Sequence, residues 1–178
     1  MLPCPTYISL DVPEPMAARV VALRRVLDPD FVHLPIEIAL AGSSGIGVLS
    51  QHENIQHVRK AVDTVARAHF PITTRFLRAA WLNELRVYAL EVEAVSPLVG
   101  LHDSLRRSGL SFENAVPATF RPHCTLRWTP QWMTTEQQTT WNSIFAPQDD
   151  FVLRDLVVYR LRPNSGNAEP IHRASLGG

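Results

Sequence analysis

Met16, Val20, Leu23 and Leu27 recur at helical spacing between Pro13-Glu14-Pro15 and Asp28-Pro29, which predicts a helix with one apolar stripe. Ile55, Val58, Val62 and Val65 repeat the pattern over about 53–69, ending before Pro71. A third helix is expected from Ser96 as N-cap and Pro97 behind it, with Leu98, Leu101 and Leu105 facing inward and Gly109 as the stop. Thr134 and Gln137 have the spacing of a capping box and predict a fourth helix that buries Trp141, Ile144 and Phe145. Strand-like runs lie between these segments, at 7–12, 34–40, about 72–82, 85–93, 120–126 and 151–161. Strands alternating with helices in this way predict an α/β or α+β arrangement in two layers, with a cleft on the uncovered sheet faces.

The pattern is written twice. Tyr7-Ile8-Ser9-Leu10-Asp11-Val12 and Val87-Tyr88-Ala89-Leu90-Glu91-Val92 share a Leu-acid-Val ending, and each leads through a helix to a further strand. Setting Leu40 on Leu126 places Glu37 against His123 and Ala39 against Thr125. This reads as a duplicated strand-helix-strand unit, which would bring one polar cluster from each half to a shared cleft.

The second copy carries the stronger chemistry. Along a strand, alternate side chains share a face, so Arg121, His123, Thr125 and Arg127 are expected to point the same way. Such a face offers an imidazole that moves a proton near neutral pH, a hydroxyl donor and two guanidiniums suited to phosphate. In the first copy Glu37 would supply a carboxylate, ionised at pH 7 by its reference pKa, to act as base while protonated His123 acts as acid. Trp128, just past the motif, is a candidate base-stacking surface, as is Trp132. Trp81 and Tyr88 are aromatics of the kind that more often fill cores. His33 is read as lying at a strand entrance outside the site, and Gly42-Ser43-Ser44-Gly45-Ile46-Gly47 as a loop at the cleft rim, since it lacks the Lys-Ser/Thr of a phosphate loop.

With these motifs, Glu37-Ile38-Ala39-Leu40 and His123-Cys124-Thr125-Leu126, the chain resembles the two-histidine (2H) phosphoesterase superfamily, which includes the 2′-5′ RNA ligase-like proteins and cyclic phosphodiesterases. The resemblance covers roughly residues 5–162. It implies an α+β fold of two pseudo-symmetric antiparallel lobes, with helices outside, a central cleft, and acid/base chemistry that uses no metal and no cofactor. The second motif matches as it stands, whereas Glu37 and Ala39 occupy the positions of the first His and Thr. The implied domain is single, with lobes at about 5–83 and 84–162 and a tail at 163–178. Its implied ligand is a small phosphorylated or cyclic-phosphate compound, a 2′,3′-cyclic nucleotide or an RNA end. Two outcomes follow from Glu37 and Ala39: a working phosphodiesterase, or a binding module that kept the cleft and lost turnover.

Composition narrows the partners. With 17 basic and 17 acidic side chains in 178 residues, the broad positive field that grips long nucleic acid is absent. No run of about 18 apolar residues suggests a membrane span, and no signal-peptide pattern opens the chain, so a cytoplasmic protein is expected. Cys4 and Cys124 form neither a disulfide framework nor a zinc motif, and Cys124 is expected in the core. The Ser165-Gly166-Asn167 stretch and the closing Leu-Gly-Gly predict a mobile tail with little to bury.

Overall fold

The expected apolar stripe of the first helix is present with one change of register. In the computed structural model, which describes all residues except 1, 3, 44, 116–119, 129–133, 137–138, 140–145 and 163–165, strand β1 (Thr6–Asp11) leads into α1 (Met16–Leu27). The buried face of α1 is Met16, Val20, Arg24 and Leu27, so an arginine takes the place expected of Leu23. The chain continues through a short 3₁₀ turn at Pro29–Phe31 into β2 (Glu37–Ala41), then β3 (Val48–Leu49) and α2 (Ile55–Arg67). Asn54 caps α2 by accepting a hydrogen bond from the Gln56 amide at 2.8 Å. Val58, Ala61, Val62, Val65 and Ala66 form its buried face.

Two expected strands are each interrupted once. The 72–82 run divides at Arg75 into β4 (Ile72–Thr74) and β5 (Phe76–Leu82). After β6 (Val87–Val92), α3 (Val95–Arg106), β7 (Phe112–Glu113) and β8 (His123–Trp128), the 151–161 run divides at Arg154 into β9 (Phe151–Leu153) and β10 (Asp155–Leu161). The third helix starts at Val95, one residue before the expected cap, and Leu98, Leu101, His102 and Leu105 are its buried residues. The expected fourth helix, with Gln137, Trp141, Ile144 and Phe145, lies largely outside the described residues.

The interruptions are where the two halves exchange strands. One sheet holds β11 (Ala168–Ser175), β10, β1, β2, β3 and β7, the other holds β5, β6 and β8, and β4 pairs with β9 between them. Strand β5 from the first half therefore joins β6 of the second, and β10 from the second joins β1 of the first. A division at residue 83 thus does not separate the sheets. Nor does it separate cores, since one cluster of buried apolar residues runs from Ile8 and Leu40 to Leu90 and Leu126.

The duplication survives in the pairing registers. Strand β1 pairs with β2 as Ser9↔Ala39 and Asp11↔Glu37, and β6 pairs with β8 as Ala89↔Thr125 and Glu91↔His123. Both pairs carry an irregularity at the matching place, between Ile8 and Ser9 in one and between Tyr88 and Ala89 in the other. The fold is α+β, with antiparallel sheets and helices packed on them. No helix among the described residues is long and apolar enough to cross a membrane.

The tail expected to be mobile is an edge strand. β11 (Ala168–Ser175) pairs with β10 from Asp155↔Ser175 to Leu161↔Ala168. The His172 ring nitrogen Nε2 lies 2.7 Å from Asp63 Oδ1 of α2, and Leu176 is 5% exposed. The expectation failed because strand pairing satisfies the backbone of a polar segment without needing an apolar sequence. Leu176→Ala should therefore cost about 2 kcal/mol, lowering the melting temperature by roughly 4–8 °C. An unchanged melting temperature in differential scanning calorimetry would show that the segment is not docked.

Candidate functional site

Strand alternation places Ile38 and Leu40 in the core, with no exposed surface, and leaves Glu37 and Ala39 on the opposite face of β2. On β8 the same rule buries Cys124 and Leu126 and turns His123, Thr125 and Arg127 the other way. Both faces open onto one pocket of about 410 Å³, lined by Glu37, Ala39, His123, Thr125 and Arg127. The residues from the two halves are thus brought together as their spacing implied. Cys124, fully buried behind them, receives a backbone hydrogen bond from Glu37, and burial pushes its thiol up to about 11.

The proton affinities of the pair differ from those expected of reference groups. Burial is the main influence on Glu37 and raises its carboxyl to about 7. The Ser9 hydroxyl donates to Glu37 Oε2 at 2.8 Å and the Tyr7 hydroxyl donates as well, which limits the rise, while Asp11, directly opposite in the pairing register, adds to it. His123 moves the other way: burial holds its imidazole below the usual histidine range. Its Nδ1 lies 2.7 Å from the carbonyl oxygen of Arg121, an acceptor only, so Nδ1 carries the hydrogen and Nε2 keeps its lone pair in the neutral ring.

The arginines divide differently from expectation. Arg127 reaches the pocket, with Nη1 donating to the Leu27 carbonyl at 3.0 Å. Arg121 does not line it. β8 begins only at His123, after Pro122, so Arg121 lies outside the alternation and its guanidinium pairs with Glu91. What it gives the site is its backbone carbonyl, which orients His123. Burial pushes the Glu91 carboxyl up, but hydrogen bonds from Arg78 and Arg121 outweigh this and hold it below the ordinary value.

Around the rim, Trp128 is 57% exposed and lines the pocket, its backbone amide donating to Asp28 Oδ2 at 3.2 Å. Tyr88 is fully buried, and Trp132 lies outside the described residues. His33 does not line the pocket and stacks on Phe31 with ring centroids 6.5 Å apart. Gly42 and Ser43 of the glycine-rich loop stand at the rim. Gly47 serves packing instead: at φ +93°, a Cβ there would meet the Glu113 carbonyl oxygen at 2.1 Å.

Sequence reasoning missed Tyr7, Ser9 and Arg24. Tyr7 and Ser9 lie on β1 as a core-like run, and only its pairing with β2 shows that both hydroxyls reach Glu37. Arg24 lines the pocket from α1 although it is only 5% exposed. The one signal for it was a basic residue at an apolar-stripe position.

This architecture is that of the LigT-like 2H phosphoesterase fold. The chain is similar to the crystal structure of TT0787 of Thermus thermophilus, with TM-score 0.66 and 17% identity over 98% of each chain. It is also similar to E. coli LigT in apo form, with TM-score 0.59 and 18% identity over 99% of each chain, and to E. coli LigT complexed with 3′-AMP, with TM-score 0.59 and 19% identity over 98% of each. No protein-family model matches the chain, and no curated protein matches it in sequence.

The Glu37 carboxyl gives a stability test. Its ordinary value is 4.5 and its folded value about 7, so the native state binds that proton more tightly than the unfolded chain. The associated stability is fully present below about pH 4.5 and is lost as pH rises to about 7, by up to about 3 kcal/mol. His123 acts oppositely, losing stability as pH falls below its ordinary 6.5, so comparison with Glu37→Gln isolates the carboxyl. In urea melts from about pH 4.5 to about pH 8, the wild type should lose stability relative to Glu37→Gln as pH rises. A difference independent of pH would mean that Glu37 titrates like an exposed acid.

Proposed function

We propose that the protein is a phosphodiesterase of the 2H type that hydrolyses small cyclic phosphodiesters, such as 2′,3′-cyclic nucleotides or a cyclic phosphate at an RNA end, by acid/base catalysis from Glu37 and His123. The reading is carried by one observation: these two side chains stand at register-equivalent positions of β2 and β8 and open onto the same pocket. The fold shared with E. coli LigT, which has been crystallised with 3′-AMP and with phosphate, supports the substrate class.

Their proton affinities assign the roles opposite to those expected from reference values. Neutral His123 presents Nε2 as base and takes a proton from the attacking water. Glu37, protonated up to about pH 7, is the acid that protonates the departing sugar oxygen as the P–O bond to it breaks. Thr125 and Arg127 hold the phosphoryl oxygens, and Trp128 offers the base a stacking surface at the rim. With both proton transfers supplied by side chains, turnover should persist in chelator.

Ala39 favours a second reading. It occupies the slot equivalent to Thr125, so one half of the cleft has no hydroxyl for the phosphate. A binding module that keeps ligand affinity without turnover would follow.

Hydrolysis of 2′,3′-cyclic nucleotides in the presence of chelator separates the readings. His123→Ala and Glu37→Gln should each lower kcat/KM by about 10²–10⁴-fold. The wild-type profile should be bell-shaped, with an acid limb from His123 below pH 6.5 and an alkaline limb near pH 7 that Glu37→Gln abolishes. Undiminished activity in His123→Ala would assign turnover to another site. An inert wild type that binds nucleotide, and gains activity in the Glu37→His/Ala39→Thr double variant, would establish the binding module.

A further inference from the structure

Among the described residues, Arg24 is the only arginine or lysine that is buried, and the mechanism above does not use it. It reaches the pocket from the inward stripe of α1. Nη1 donates to the carbonyls of Leu34 at 2.9 Å and Pro35 at 3.2 Å, with a longer 3.5 Å contact to Phe31, and Nη2 donates to the Thr125 carbonyl at 2.7 Å. These bonds tie the entrance of β2 to the middle of β8, the two strands that carry Glu37 and Thr125.

Every one of those acceptors is a neutral carbonyl. A buried guanidinium is ordinarily matched by a carboxylate, because uncompensated charge in a low-dielectric site is costly. No carboxylate among the described residues hydrogen-bonds Arg24. Of the carboxyl groups lining the pocket, Asp28, Glu37 and Glu84, none hydrogen-bonds Arg24, and burial raises Glu37, which feels the guanidinium's field, to about 7, so that it is about half protonated at neutral pH. The pocket wall therefore carries a fixed positive charge that no carboxylate among the described residues pairs directly. Three carbonyls could be tethered by neutral donors, and a guanidinium adds charge to the tether.

We propose that Arg24 supplies the charge that holds a tetrahedral oxyanion, phosphoryl or sulfate-like, in the pocket between Glu37 and His123, and so fixes the site's preference for anionic ligands. This deepens the phosphodiesterase reading and rests on its choice of pocket. It assigns to α1 the part that the sequence pattern gave to Arg121.

Sulfate, which does not titrate near neutrality, is the probe. By calorimetry at fixed pH and ionic strength, the wild type should bind sulfate. Arg24→Met should bind at least tenfold more weakly, while Arg25→Met, on the exposed face of the same helix, should stay within twofold. A cooperatively folded Arg24→Met that binds sulfate like wild type overturns the proposal, as does a wild type that does not bind sulfate. Because Arg24→Met also strips three carbonyls of their donor, a measurement on the unaltered protein accompanies it: the Arg24 Nε–H resonance should shift and saturate with sulfate. A resonance that stays fixed while sulfate binds overturns the proposal too. If cyclic nucleotides are not hydrolysed but sulfate saturates at Arg24, the catalytic reading fails and the anion site stands.

Discussion

The site depends on one constraint, the abutment of β2 and β8 at the meeting of two sheets whose strands have been exchanged. Each motif strand is fixed from behind by its own antiparallel partner, β1 or β6, with matching registers and matching irregularities. The crossing at β4 and β9 draws the sheets together, and the single core of Ile8, Leu40, Leu90 and Leu126 fills the space behind. Strand alternation then decides the rest, since one side chain in two must face the core and the other must face the pocket.

Burial at this junction sets the proton affinities of Glu37 and His123. In water a glutamate and a histidine would hold their charges in the order that makes the acid a base and the imidazole an acid. Here removal from solvent disfavours both charged forms, raising Glu37 and lowering His123. The neutral pair is a complementary acid and base, and the carbonyl of Arg121 fixes which imidazole nitrogen is available. A glutamate at the position equivalent to His123 is chemically compatible with proton transfer because its environment retunes it.

Linear reading placed Arg127 at the pocket and misjudged the other two arginines, Arg121 and Arg24. Arg121 is spent on Glu91, whose carboxylate stands opposite His123 in the strand pairing. Arg127 and Arg24 instead clasp the pocket through α1, one donating to the Leu27 carbonyl and the other to the Thr125 carbonyl. The helix and the motif strand thus fix each other, and both arginines line the pocket wall.

Local pattern was enough for much of the fold. The stripes of α1, α2 and α3, the strand runs and the duplication are set by side-chain periodicity, which is a property of neighbours in the chain. The meeting of Glu37 and His123 at one pocket was legible for the same reason, because a repeat carries equivalent positions to equivalent places. Strand exchange at Arg75 and Arg154, the docking of β11, the loss of Arg121 from the site and the entry of Tyr7, Ser9 and Arg24 were decided only when distant segments met. Proton affinity belongs with them. A side chain's identity sets its reference value, but the solvent it loses and the donors it gains are supplied by residues far away in the chain, and these exist as neighbours only in the folded molecule.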